Sequence, residues 1–196
     1  MRKKPMLAYP VSDKPINYDD KVFMQPKLDG VRCVIQYEPN VASVASNYEP
    51  EVVAYSRTGK EWKNIDHILF NLKPFFQLNP DVILDGELYN HDLKNDFEKI
   101  ISLVRKTKPT DEDRLESAKN VQFHCYDIID ETKTFEERNR FITQVVQRNH
   151  CVKHVLTTRI TNEFDAKEMH KVNLDCGFEG SILRTNDTYA CKRSHN

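Results

Sequence analysis

The 196 residues carry 29 Lys and Arg against 30 Asp and Glu, a formal charge of −1, with 30% charged and 39% hydrophobic positions. That balance fits a water-soluble globular chain long enough for one large domain or two small ones. It excludes a generally basic footprint, so any nucleic-acid contact would come from a local patch or a partner domain.

No apolar run approaches the roughly 20 residues of a membrane-spanning helix. The basic start Met1–Met6 lacks the apolar stretch of a signal peptide. Five cysteines without a Cys-x-x-Cys spacing argue for a reducing, intracellular setting and against a disulfide frame or zinc site.

In chain order, residues 1–20 read as irregular, punctuated by Pro5, Pro10 and Pro15. Lys21–Met24 and Val31–Tyr37 read as strands, Val41–Pro50 as a loop, Val52–Ser56 as a strand and Ser56–Lys60 as a turn. Asn64 is placed to cap a helix carrying Ile65, Ile68, Leu69 and Leu72, which Pro74 is expected to stop. Val82-Ile83-Leu84 is a short apolar strand that runs into Asp85-Gly86-Glu87-Leu88. Phe97, Ile100, Ile101 and Val104 make one helical face. Residues 105–120, charged and broken by Pro109, read as a solvated connection. Val121–Ile129 is the clearest strand, with Phe123, Cys125 and Asp127 on one face and His124 and Tyr126 on the other. Thr134 and Glu137 have capping-box spacing ahead of a helix. Val155–Ile160 reads as a strand, a helix runs from about Asn162 to Gly177, and Phe178–Arg184 turns into a last strand. The mixture is α+β.

Charges gather beside glycine at apolar strand ends: Lys27-Asp29-Gly30-Arg32, Arg57-Gly59-Lys60, Asp85-Gly86-Glu87 and Glu179-Gly180-Arg184. In an extended chain Lys27 and Asp29 point the same way, Gly30 lets the backbone bend or approach a ligand closely, and Arg32 is a cationic fork suited to phosphate. Turn composition accounts for any one cluster, and Asp-Gly also suits a hairpin connection. Together they supply the cations and carboxylates that a nucleotide with a divalent ion requires. Asp29 orients either Lys27 or a metal-bound water, or else pairs with Arg32. Trp62 reads as a packing anchor, His124 and His154 as satisfied strand residues, and Cys33, Cys125 and Cys176 as small core residues. The run Arg105–Lys108 reads as a solvated helix end.

The ordered set KLDGVR, SRTG, DGEL, FHCYDII and GFEGSILR resembles the nucleotidyl motifs of the covalent nucleotidyltransferases, most nearly ATP-dependent DNA ligases of the compact viral and phage type. With the lead-in Pro5-Met6-Leu7-Ala8, the likeness covers nearly the whole chain. It implies an ATP-grasp-like α+β adenylation domain over residues 1–196, two antiparallel sheets with flanking helices and the nucleotide in the groove between them. It also implies that Lys27 attacks the α-phosphate of ATP, expels pyrophosphate and holds AMP as a phosphoramidate for the 5′-phosphate of nicked duplex DNA. Gln25 would lie at the adenine edge and Tyr126 would stack on the ring. Arg32 and Arg57 would serve the phosphates of nucleotide and nick, and Glu87 would bond the ribose. Glu179 would help bind Mg2+ or Mn2+, and Arg193 would meet the nucleic acid or nucleotide.

The chemistry has its own logic: a lysine nucleophile must be uncharged, and lowering an ordinary lysine pKa of about 10.4 to roughly 7–8 requires nearby positive charge. The family pattern continues with a strand bearing two lysines and an OB-fold domain. Neither follows His195-Asn196, so the chain reads as an excised adenylation domain or a truncated product. It is expected to be a monomer whose partners are nicked duplex DNA and the missing C-terminal OB-fold domain, and weak ATP binding and poor nick sealing are expected. A capping guanylyltransferase or RNA ligase shares the lysine chemistry; Glu179-Gly180 and Arg184 favour the DNA ligases. An inactive nucleic-acid-binding module is the reading against which Lys27, Glu87 and Glu179 stand.

Overall fold

The computed structural model describes residues 3–38 and 51–194; the loop expected over Val41–Pro50 lies outside them. The strand pattern read at Val121–Ile129 becomes β6 (Gln122–Ile128), which alternates buried Phe123, Cys125 and Asp127 with partly exposed Gln122, His124 and Tyr126. It lies in a five-stranded sheet with β3 (Val31–Glu38), β4 (Glu51–Tyr55), β5 (Ile83–Tyr89) and β7 (Val152–His154), in the order β4-β3-β5-β6-β7. The sheet is not wholly antiparallel as expected, because β7 runs parallel to β6. Parallel neighbours need a crossover, and α4 (Phe135–Val145) supplies it.

Helices α1 (Asp66–Leu78), α2 (Phe97–Val104) and α4 cover one face of this sheet. Ile68, Leu72, Phe76, Ile100, Val104 and Ile142 pack there on Ile35, Leu84, Leu88 and Phe123. Three local expectations change. Pro74 does not stop α1, which carries it on its exposed side, because buried Phe75 and Phe76 draw the next turn into the core. Asn64 does not cap α1: its amide donates to the carbonyls of Leu103 (3.0 Å) and Asp113 (3.2 Å) and so ties α1 to its neighbours. Residues 105–120 are not a plain connection, since Thr110 and Asp113 form a capping box that starts α3 (Asp111–Asn120). The box expected at Thr134 and Glu137 does start α4.

The second sheet, β8-β2-β9, is antiparallel and joins β2 (Val22–Lys27), β8 (Thr158–Ile160) and β9 (Gly180–Thr185). Helix α5 (Glu163–Asp175), capped by Asn162, covers it through Ala166, which packs with Val22, Met24 and Ile160. The strand expected over Val155–Ile160 is shortened to Thr158–Ile160 in the small sheet, and Val152–His154 just ahead of it forms a strand of the large sheet. The chain changes sheets between them, a switch that local composition does not mark. β1 (Leu7–Ala8) and β10 (Arg193–Ser194) pair in parallel as a third, two-stranded element. Trp62 is buried and donates its indole N–H to the Arg32 carbonyl at 3.2 Å, a packing anchor as read. Cys33 and Cys125 are core residues; Cys176 is exposed instead.

Candidate active site

Where the two sheets meet, three of the four charged segments come together: Lys27–Arg32, Asp85–Glu87 and Glu179–Arg184. Lys27 ends β2 opposite Gly180 of β9, and the Glu179 N–H donates to the Lys27 carbonyl at 3.1 Å. This register carries the Glu179 carboxylate onto the Lys27 amine as an ion pair. The two side chains are 46% and 44% exposed, open enough for a ligand to displace either one. After Lys27 the chain turns through Gly30, where a Cβ would fall 2.6 Å from both the Leu88 carbonyl and Glu87 Cγ. Only a glycine lets this turn lie so close to β5.

Arg32 on β3 sits opposite Glu87 on β5, and the two-residue period brings Asp85 to the same face. The guanidinium engages Asp85 through two bonds of 2.7 and 2.6 Å and donates to the Met6 carbonyl at 3.1 Å, while the Tyr189 hydroxyl donates to Asp85 at 2.7 Å. Pairing of Arg32 with Asp29 is therefore replaced by pairing with Asp85, a fully buried residue in the middle of β5. The Asp85-Gly86-Glu87 cluster thus lies within a central strand, at a bulge, and forms no hairpin connection. Asp29 is exposed. It still lies near enough to push Glu87 and Tyr89 upward in pKa, behind the larger effect of burial on each.

Burial drives Glu87 up to about 8, against the pull of Arg32 and with the push of Asp85. The Tyr126 hydroxyl donates to Glu87 at 3.3 Å, and the Arg32 and Arg184 guanidinium carbons lie 5.2 and 5.5 Å from the Tyr126 ring centre. Gln25 is buried rather than open at the end of a cleft. Its amide N–H groups donate to the Tyr126 carbonyl (3.1 Å) and Thr157 hydroxyl (2.9 Å), and its oxygen accepts from Arg184 Nε at 3.2 Å. Both donors are consumed inside the protein, leaving only acceptor capacity on the amide oxygen.

Behind Gln25 stands a network of charges that the sequence reading passed over. Buried Asp127 accepts from Arg138 at 2.7 and 3.2 Å and from Arg184 at 3.4 Å, while Arg138 also donates to the carbonyls of Lys133 and Asp187. A charge at position 138 on the apolar face of α4, between Phe135 and Ile142, was the available signal.

Arg57 stands exposed on the turn after β4 and makes none of these contacts; Arg193 lies in β10 beside Leu7. Among the described residues no group of three or more His, Cys, Asp or Glu converges as a metal cage. The half-exposed Glu179 carboxylate is a hard oxygen donor of the kind that Mg2+ takes one or two of beside substrate phosphates. A groove of about 1070 Å3 runs along the α5 side of the small sheet, lined by Tyr18, Met24, Lys167 and Leu183, with Lys27 among its residues.

The profile of a family described as "ATP dependent DNA ligase domain" matches residues 5–196. No curated protein matches the chain by sequence. Among solved structures, Pmar-Lig_PreS3 superposes with a TM-score of 0.73 at 19% identity, covering 98% of this chain and 45% of that one. Bacteriophage T7 ATP-dependent DNA ligase in complex with ATP gives 0.67 at 15% identity, covering 98% and 66%. Chlorella virus DNA ligase-adenylate gives 0.64 at 20% identity, covering 98% and 63%. These likenesses carry the fold, and the chain spans under half the length of the first of them.

Proposed function

The chain belongs to the ATP-dependent DNA ligase domain family, and from that premise we propose that it performs the nucleotide-charging step of strand joining. The Lys27 amine attacks the α-phosphorus of ATP and loses a proton. An N–P bond forms as the bond to pyrophosphate breaks, leaving AMP on the lysine. The AMP then passes to the 5′-phosphate of nicked duplex DNA, and attack by the 3′-hydroxyl seals the nick and releases AMP.

Glu87, with a pKa of about 8, keeps its proton at neutral pH and can both donate to and accept from a ribose hydroxyl. Tyr126 would offer its ring to the adenine, and Gln25, whose donors are already used, would act at the adenine edge only through its amide oxygen. Arg32 and Arg57 meet phosphates, where fixed cations offset charge developing on oxygen. Glu179 would hold Mg2+ or Mn2+, which when bound offsets negative charge on the phosphate oxygens.

The observation that carries this reading is the Lys27–Glu179 pair, formed across two strands of the small sheet from segments 152 residues apart. The test is intact-mass analysis after incubation with ATP or GTP and Mg2+. Addition of one AMP with ATP, none with GTP, and none in Lys27→Ala is expected. An adduct that survives Lys27→Ala would end the proposal, as would no adduct on the unaltered protein. A GMP adduct instead would move the chain to the capping-type chemistry.

A further inference from the structure

The end of β5 reaches across to the segment that carries Glu179. Tyr89 is buried, and two residues on, His91 opens a short 3-10 turn, His91–Leu93. The His91 ring joins three partners: Nδ1 lies 2.7 Å from the Tyr89 hydroxyl, Nε2 lies 3.0 Å from the Cys176 carbonyl, and the ring packs on Phe178 at 4.4 Å between centres. A carbonyl only accepts, so Nε2 carries the hydrogen and Nδ1 accepts from Tyr89. Cys176 caps α5, Gly177 follows at φ 87°, and Phe178 leads directly to Glu179.

The backbone bond from Glu179 to Lys27 fixes where the two strands meet. The N–H groups of Cys176, Gly177 and Phe178 hold the segment to α5 through the carbonyls of Val172, Leu174 and Asn173. His91 adds a tie from the side of the large sheet, through the Cys176 carbonyl and the Phe178 ring. The same unit also flanks the lysine loop: a Cβ on Gly30 would stand 3.3 Å from Tyr89 Cβ. Tyr89 and His91 therefore brace both halves of the Lys27–Glu179 pair.

We propose that His91 is a positioning residue that holds Cys176–Glu179 so that Glu179 meets Lys27, and that nucleotide transfer depends on this alignment. The second half rests on the function proposed above; the first half does not. The test therefore has two arms.

In the first arm, the full chain is acylated with N-hydroxysuccinimide acetate, and modification of Lys27 is followed by peptide mass spectrometry against Lys21, which pairs with Glu136 at 2.5 Å. His91→Ala is expected to speed Lys27 acylation by about two- to fivefold relative to Lys21, the range that loosening an exposed ion pair allows. His91→Gln, which keeps an N–H for the Cys176 carbonyl, is expected to stay near the unaltered rate. An unchanged Lys27 to Lys21 ratio in His91→Ala overturns the proposal.

In the second arm, the rate of lysyl-AMP formation is expected to fall about tenfold or more in His91→Ala, with KM for ATP held within about twofold and most of the rate restored in His91→Gln. A loss that merely tracks the unfolded fraction overturns the positioning role. If the unaltered protein forms no lysyl-AMP, the proposed function fails, while the acylation ratio still decides whether His91 holds the pair.

Discussion

Asp127→Asn is the sharpest probe of the joint between the two sheets. The carboxylate is fully buried, and its oxygens take Arg138 Nε at 2.7 Å, Arg138 Nη2 at 3.2 Å, Arg184 Nη1 at 3.4 Å and the Ile128 N–H at 2.8 Å. An asparagine turns one of these oxygens into an NH2 group. In either orientation that group points its hydrogens at two donors. The substitution also removes the carboxylate that pairs with Arg138, whose side chain is 1% exposed. Breaking a buried pair by neutralising one partner costs about 3–5 kcal/mol. For a chain of this size that corresponds to a fall in Tm of roughly 6–20 °C. Urea unfolding should show a lower midpoint with an unchanged slope. Combination with Arg138→Met should cost less than the two changes summed, since the buried Arg138 guanidinium is then gone and Arg184, which also donates to Gln25, is left with the smaller loss. A loss under about 1 kcal/mol, or strict additivity, would refute the account of Asp127 as the keystone of this joint.

Other changes test separate parts of the structure. Glu87 keeps its proton up to about 8 in the folded chain, against an ordinary 4.5. Between those values the unfolded state has released a proton that the folded state still holds, so stability falls as pH rises through the window. Urea unfolding at pH 5 and pH 8 should show this fall, on the order of a few kcal/mol, and Glu87→Gln should abolish it. Gly30→Ala pushes a methyl to within 2.6 Å of the Leu88 carbonyl, a backbone atom that cannot step aside; a loss of about 1–3 kcal/mol in thermal unfolding is expected. Thr134→Ala removes the cap of α4, where Thr134 Oγ1 accepts from the Glu137 N–H at 3.4 Å and donates to its carboxylate at 2.8 Å. The expected cost is about 1 kcal/mol by chemical denaturation.

Much of the local structure was legible because it depends on neighbours in sequence. The alternation in β6, the Thr134–Glu137 box, the helix start near Asn162 and the apolar face of α2 are all set within a few residues. The misreadings came where tertiary burial overrode a local signal. Pro74 would end an isolated helix, but α1 continues because Phe75 and Phe76 gain the core. Asn64 has the side chain of a helix cap, yet it is used to tie three helices together. The span 105–120 looked too charged for regular structure. It folds as α3 because its Thr110 box and one buried face, at Ser117, suffice beside α1 and α2.

The sequence by itself determined which charges stand out as candidates, since Lys27, Arg32, Glu87 and Glu179 lie within three residues of a glycine at apolar strand ends, while Tyr126 entered through the resemblance to the ligase motifs. Only the tertiary structure decided which charge answers which. Arg32 faces Asp85, 53 residues away and on the adjacent strand, rather than Asp29 three residues before it, and Lys27 meets Glu179 from 152 residues away. Gln25 is turned inward by Arg184 and Tyr126. The physical reason is that an ion pair is chosen by strand register and the packing of two sheets, which bring distant segments within about 3 Å, whereas periodicity in a sequence reports only which face a residue shares with its neighbours.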